Sequence, residues 1–200
     1  ALAGRIDSIA LLNVSGASVR IEVAADGAGT IYDQTIGLSS FSGITDWFAY
    51  FFEEVIREHN AIRLDLPLYA SPTVTVTLSD PGSEVSIGNL VLGMARELGA
   101  AQYGAQIGIT DFSKKAADDF GNYTIVERPF SRRGRFTVWA SGMQIPALLD
   151  LIVKYRATPV VWIGAEERTE TALFGFYKDF NVEIAYPTMS ICTLEIEGLT

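Results

Sequence analysis

The chain has 200 residues, of which 48% are hydrophobic and 20% charged, with a formal net charge of −9. Such a chain can bury the core of one large domain or two small ones, and the composition excludes a disordered polymer. The acidic balance disfavours nucleic acid and anionic membrane as main partners, while a single cysteine (Cys192) and a single histidine (His59) exclude an intrachain disulfide, a Cys-rich zinc site and a multi-His metal centre.

No apolar run approaches the roughly 18 residues that a membrane span needs. No charged-then-apolar signal pattern opens the chain. It starts Ala1-Leu2-Ala3-Gly4 without Met, which suggests a processed or trimmed piece of a longer protein.

Ile6 to Val14 is an apolar run with β character, and Ser15-Gly16 is a turn signal. Val19, Ile21 and Val23 alternate with Arg20 and Glu22, as in a half-buried strand. After the Asp26–Gly29 turn, Thr30 to Ile36 returns as a strand. These segments are expected to be consecutive antiparallel strands. A loop-like stretch from Gly37 leads to Asp46-Trp47-Phe48-Ala49-Tyr50-Phe51-Phe52-Glu53-Glu54, the most aromatic-dense window of the chain. Ala61 to Leu66 resumes β structure. Thr73 to Leu78 alternates apolar and polar, Asp80-Pro81-Gly82 turns it, and Val85 to Leu92 is expected to complete a hairpin.

Gly93 to Gly108 is a Gly/Ala-rich connector, and Ile109 to Phe120 is polar and loop-like. The expected domains are therefore residues 1–95 and 96–200. In the second, Thr124–Arg128 and Arg135–Ala140 are expected strands around the basic cluster Arg132, Arg133 and Arg135. Ile145, Leu148, Leu149, Ile152 and Tyr155 form a helical apolar stripe, giving a helix near 144–156. Pro159 stops it. Pro159–Ile163, Leu173–Ile184 and Ser190–Glu197 follow as strands, with a break at Tyr186-Pro187. The fold class is mainly β, with an α+β second half.

The motifs of small-molecule chemistry are absent. No phosphate-cradling glycine pattern occurs. The acidic pairs Glu53-Glu54, Asp118-Asp119 and Glu166-Glu167 are adjacent in sequence, whereas a glycosidase needs carboxylates facing across a cleft. His59 lies in a polar stretch without a nucleophile elbow, and Cys192 alternates on a strand as a packed thiol would. No cofactor, no metal and no enzymatic activity are expected. The aromatic window admits two readings. Trp47, Phe48, Phe51 and Phe52 can plug one end of a sandwich, which buried aromatics usually do. Alternatively, flat rings can stack on a sugar, with Trp47, Tyr50 and Tyr32 as the candidates and the two tyrosines the better placed for exposure. The arginines are a solvated turn, a subunit interface or, as the least favoured option, a phosphate-binding cluster.

Several segments resemble a family of tail proteins of tailed bacteriophages and prophages. They are Gly88–Gly93, Gln102–Gly104, Gly108–Lys114, Asp118–Gly121, Val126–Phe130, Arg156–Pro159, Phe174–Phe180, Ile184–Pro187 and Leu194–Leu199, with Asp46–Phe52 in the first half. The resemblance spans nearly the whole chain and is strongest after residue 88. It implies a jelly-roll or galactose-binding-like β-sandwich followed by a tail-tube-like β-barrel or sandwich with one flanking helix. It also implies further N-terminal sequence, at times with a small carbohydrate-binding module. The implied role is a virion structural component of a tail tip or baseplate. Its partners would be tail tube, hub and fibre proteins, copies of itself in a ring, and a host-surface saccharide. A lectin-like receptor-binding module and, further off, a polysaccharide-degrading enzyme are the alternatives.

Overall fold

The computed structural model describes residues 5–40, 46–52, 56–69, 72–117, 120–165 and 168–199. The chain divides into two compact units, Ala1–Arg96 and Glu97–Thr200, and is mainly β.

The first unit contains β1 (Ser8–Ser15), β2 (Ser18–Ala25), β3 (Gly29–Gly37), β4 (Ser39–Ser40), α1 (Trp47–Phe52), β5 (Ile56–Arg57), β6 (Asn60–Arg63), β7 (Thr73–Ser79) and β8 (Ser86–Gly93). Two antiparallel three-stranded sheets, β6-β1-β8 and β3-β2-β7, make a sandwich. Ile9 and Leu11 of β1 face Val19, Ile21 and Val23 of β2 in one core. Val74, Val76 and Leu78 of β7 pack against it. Strand alternation explains the division of labour, since successive side chains point to opposite faces.

Two sequence expectations fail here. β1 and β2 are not paired, because the chain crosses between sheets at Gly16-Ala17. The turn at Asp80–Gly82 likewise does not close a hairpin. β7 pairs with β2, and β8 pairs with β1. A turn signal fixes that the chain reverses. It does not decide whether the returning strand pairs edge to edge or crosses the core to the facing sheet.

The second unit contains β9 (Ala100–Ala101), β10 (Gln106–Asp111), β11 (Lys114–Ala117), β12 (Tyr123–Val126), β13 (Phe130–Ser141), α2 (Ile145–Lys154), β14 (Val160–Ile163), β15 (Ala172–Glu183) and β16 (Met189–Gly198). Its main sheet runs β10-β13-β16-β15-β14, with β9 added beside β13. Phe136, Val138 and Ala140 of β13 and Cys192, Leu194 and Ile196 of β16 form the core under α2. Leu148 and Ile152, four residues apart on the helix, are its buried contacts. Leu149 is 43% exposed, so the apolar stripe is narrower than the sequence suggests. Pro146 sits in the first turn, where a missing N–H costs nothing. Ala157 takes a left-handed φ of 56°, and Pro159 bars any further turn.

The loop expected over Ile109–Phe120 is instead the end of β10 and all of β11. β11 and β12 form a separate two-stranded hairpin. Arg132 and Arg133, expected ahead of a strand starting at Arg135, lie inside β13. Near the other sheet edge, the Trp162 indole N–H donates to the Gly175 carbonyl at 3.1 Å. Position 175 requires glycine. A Cβ there would collide with the Glu197 carbonyl oxygen and lie 2.6 Å from Gly198 Cα on the paired strand.

Candidate functional site

Three surfaces carry the residues singled out from sequence. The first is α1, which lies in sequence between the paired two-residue strands β4 and β5. The strand pair is fixed at its base. Leu38 is fully buried, its N–H donates to the Ala17 carbonyl at 2.9 Å, and its own carbonyl accepts from the Glu58 N–H at 2.8 Å. Arg57 pairs with Asp80, whose side chain is almost buried. The aromatic residues of α1 stand in solvent: Trp47 is 77% exposed, Phe51 67% and Phe52 73%, with Phe48 and Tyr50 also exposed. The expected core plug is therefore overturned. The rings pack on one another instead, Trp47 stacked on Phe51 at 6.2 Å and Phe48 against Phe52 at 4.8 Å. The tyrosine edge meets Trp47 at 6.1 Å.

Tyr32 behaves oppositely. Expected to be an exposed sugar-binding candidate, it is half-buried against the sandwich core. Its hydroxyl donates to Asp65 Oδ1 at 3.0 Å. Burial, and then the bond to the Asp65 carboxylate, push its pKa up to about 12. No ring contact or hydrogen bond links it to the α1 aromatics among the described residues. The three candidate sugar-binding residues thus divide into a pair, Trp47 and Tyr50, and a structural tyrosine.

The second surface is the sheet face opposite α2. Arg133, Arg135, Thr137 and Trp139 of β13 lie across from Glu197, Glu195, Thr193 and Ile191 of β16. Strand alternation places this set away from the helix, whose side holds Phe136, Val138 and Ala140. Arg135 Nε is 3.6 Å from Glu195 Oε1, with both side chains substantially exposed, so the pair adds at most about 1 kcal/mol. Arg133 lies over Gly108, where any Cβ would be 2.9 Å from its Nε. Neither Arg132 nor Arg133 forms an ion pair among the described residues. Trp139 is 41% exposed and tilts against Tyr186 at 6.4 Å. At the far end of this region a cleft of about 330 Å³ is lined by Phe112, Pro129, Phe176 and Leu199, with Lys178 and Glu197 as its charged members.

The third surface was not anticipated. Every residue of the two strands β11 and β12 is exposed, including Tyr123, Ile125 and Val126. The base of the hairpin is clasped by two bonds. The Ser113 N–H donates to Asp111 Oδ1 at 2.8 Å, and the Arg128 N–H donates to Ser113 Oγ at 3.1 Å. The Ser113 bonds hold the Asp111 carboxyl below the usual carboxylate range. The sequence does carry a signal for this hairpin. Tyr123-Thr124-Ile125-Val126 is a β-branched and aromatic run that mirrors Lys114–Ala117 across Gly121.

The remaining candidates are quickly placed. Cys192 is a free, buried thiol whose pKa burial raises. The His59 ring Nδ1 lies 3.3 Å from the Val14 carbonyl oxygen on an exposed residue. Glu53-Glu54, Asp118-Asp119 and Glu166-Glu167 lie outside the described residues. Among the described residues, no cluster of three metal-ligating side chains occurs and no helix is long and apolar enough to cross a membrane.

Fold and surfaces together define a two-unit, mainly β protein whose candidate sites are exposed apolar and basic faces. No protein-family profile matches the chain, and no curated protein matches it.

Proposed function

We propose that this chain is a non-enzymatic structural component of a bacteriophage tail tip or baseplate, working by assembly with copies of itself and with other tail proteins. The observation that carries this reading is the one-sided cover of the second unit's sheet. α2 packs on one face, while the other presents Trp139, Arg133 and Arg135, and β10 and β14 are the sheet's two edges. Open edges and uncovered aromatic and arginine side chains are what a protein–protein interface uses. The layers fit the family that the sequence resembles, with a sandwich standing for the galactose-binding-like domain and a helix-backed sheet for the tail-tube-like one. In this reading the protein resides in the virion tail, and Arg133 and Arg135 cross to an acidic surface of a neighbour, while strand alternation turns Arg132, the third arginine of the cluster, to the opposite side of β13. The test is the state of the full chain in solution and in tail particles. Light scattering and electron microscopy should find closed oligomers. A strict monomer at high concentration that also has no place in a tail particle overturns the proposal.

A second reading has its own observation. Trp47 and Tyr50 stand exposed in mutual ring contact on α1, as a saccharide platform would. A glycan array with wild type and Trp47→Ala separates the two. Saccharide binding lost in the variant supports the lectin reading, and no binding by wild type removes it.

A further inference from the structure

The main sheet of the second unit ends on an unguarded strand. Among the described residues, β10 pairs with β13 on one side and with no strand on the other, and no backbone hydrogen bond beyond that pairing reaches Gln106–Asp111. Such an edge leaves a row of N–H and C=O groups that an extended chain can pair with, and natural edges are blunted by proline, lysine or a bulge. Between Gln106 and Thr110 the strand has no proline and no charge, and its register with β13 runs without a shift. Gly108 lies inside it, and a strand glycine permits another backbone to approach closely. The neighbours of that glycine, Ile107 and Ile109, share one face of the strand and are 44% and 63% exposed.

The other face of β10 carries a cation. Arg133 lies in register with Gly108 on one side and Glu197 on the other, and it forms no ion pair among the described residues. Its side chain lies across β10 instead. From the place that a Gly108 Cβ would occupy, Arg133 Nε is 2.9 Å away, Cγ 3.4 Å and Cδ 3.7 Å, so the missing side chain lets the guanidinium pass over the strand toward the open edge. The carboxylates of Glu197 and of Glu195, which stands 3.6 Å from Arg135, belong to β16 on the side of β13 away from that edge. Asp111 ends β10 on the isoleucine face and is held by the Ser113 N–H. We infer that the β10 edge binds an extended acidic segment of a partner protein by strand addition, with a carboxylate opposite Gly108 meeting Arg133 and apolar residues on either side of it meeting Ile107 and Ile109. Backbone pairing supplies the affinity of such contacts, and alternate side chains supply their specificity. The edge strands of a second copy do not meet the requirement. Among the described residues only β3 and β10 are edge strands with a carboxylate, and Asp33 is held by Arg20 as Asp111 is by Ser113. The docking rests on the assembly reading above for its setting and gives the partner at this edge as a different chain.

The experiment uses the full chain, the variant Arg133→Gln and three synthetic peptides. The first is Ser-Thr-Val-Glu-Val-Thr-Ser, which reads the same in both directions and so suits either strand polarity. The second has glutamine for the central glutamate. The third, Glu-Thr-Val-Ser-Val-Thr-Ser, keeps the charge and moves it to the end. Amide chemical-shift titration of the isotope-labelled protein reads site and affinity together. The first peptide should shift the amides of Gln106–Asp111 and saturate at millimolar concentration. The other two should bind about 10-fold more weakly, the scale of one charge-assisted bond. Arg133 is exposed, so Arg133→Gln should keep the wild-type spectrum outside β10 and its neighbours. It should bind the first peptide about 10-fold more weakly and no longer distinguish it from the second. No binding at millimolar peptide, equal affinity of wild type for all three peptides, or shifts that leave β10 unmoved each overturn the inference. Closed oligomers or a place in the tail particle would then leave the assembly reading standing. A chain that binds the first peptide at β10 yet has no place in a tail particle keeps the strand addition and loses the tail reading.

Discussion

Replacing Trp47 by Ala tests the reassignment of the aromatic window from core to surface. Trp47 is 77% exposed, so about a quarter of the side chain is sheltered, against all of Leu11, which is fully buried. Complete burial of a large apolar side chain contributes about 3 kcal/mol, and a quarter of that is roughly 0.7 kcal/mol. The ring contacts with Tyr50 and Phe51 add a few tenths more, at the low end for exposed pairs. Trp47→Ala should therefore destabilise the protein by less than about 1.5 kcal/mol. Leu11→Ala, which empties a site in the sandwich core, should cost about 2–5 kcal/mol. Urea titration followed by far-ultraviolet circular dichroism reads both. Fluorescence gives a second measure, since only three tryptophans are present. Of these Trp162 is 9% exposed and Trp139 41%, so loss of Trp47 should shift the native emission to shorter wavelength. A Trp47→Ala cost equal to that of Leu11→Ala, with no spectral shift, refutes the exposed finger and returns the window to the core.

Two further outcomes follow from single contacts. Trp162→Phe removes the donor to the Gly175 carbonyl in a buried setting and leaves that acceptor unpaired, so it should cost about 1–3 kcal/mol in the same titration; a loss under about 0.5 kcal/mol shows the bond to be dispensable. Tyr32 should ionise near pH 12, read by phenolate absorbance, against an ordinary value near 10. Its folded pKa is raised, so the stability it contributes is whole below pH 10 and lost as pH climbs through about 12. Asp65→Asn should lower the value without restoring the ordinary one, because burial is the larger cause. Ionisation of Tyr32 at the ordinary value in wild type would show the ring to be solvated.

Periodic segments were legible because their pattern is written locally. Val19, Ile21 and Val23 declared β2, and Leu148 and Ile152 declared the buried side of α2. The pairing of β7 with β2, and of β8 with β1, was not legible. It depends on which sheet a strand joins, and a turn such as Asp80-Pro81-Gly82 serves either choice. Lys114–Ala117 was lost for another reason. Its strand is built of lysine and alanine, residues that do not favour sheets, and it exists through pairing with Tyr123–Val126. The arginines misled through polarity. Arg133 and Arg135 look like a turn in isolation, yet they occupy the solvent side of a strand whose other side holds Gly134 and Phe136.

The aromatic window failed differently, and its failure says most about function. Density of rings cannot by itself distinguish a core from an uncovered surface, because both are made of the same side chains. The spacing within α1 does distinguish them. Rings at positions 47, 48, 50, 51 and 52 surround much of a six-residue helix. A helix apolar on several sides has no polar face to leave in water, so either its own chain wraps it or something else does. Its own chain does not, since its rings are mostly exposed. The β11–β12 hairpin repeats the arrangement in the second unit, with Tyr123 and Ile125 uncovered on a clasped base. Exposed apolar elements in both units cost solubility unless they are covered in use. Their presence on an otherwise acidic and well-packed chain is the physical reason for reading it as a part of a larger assembly.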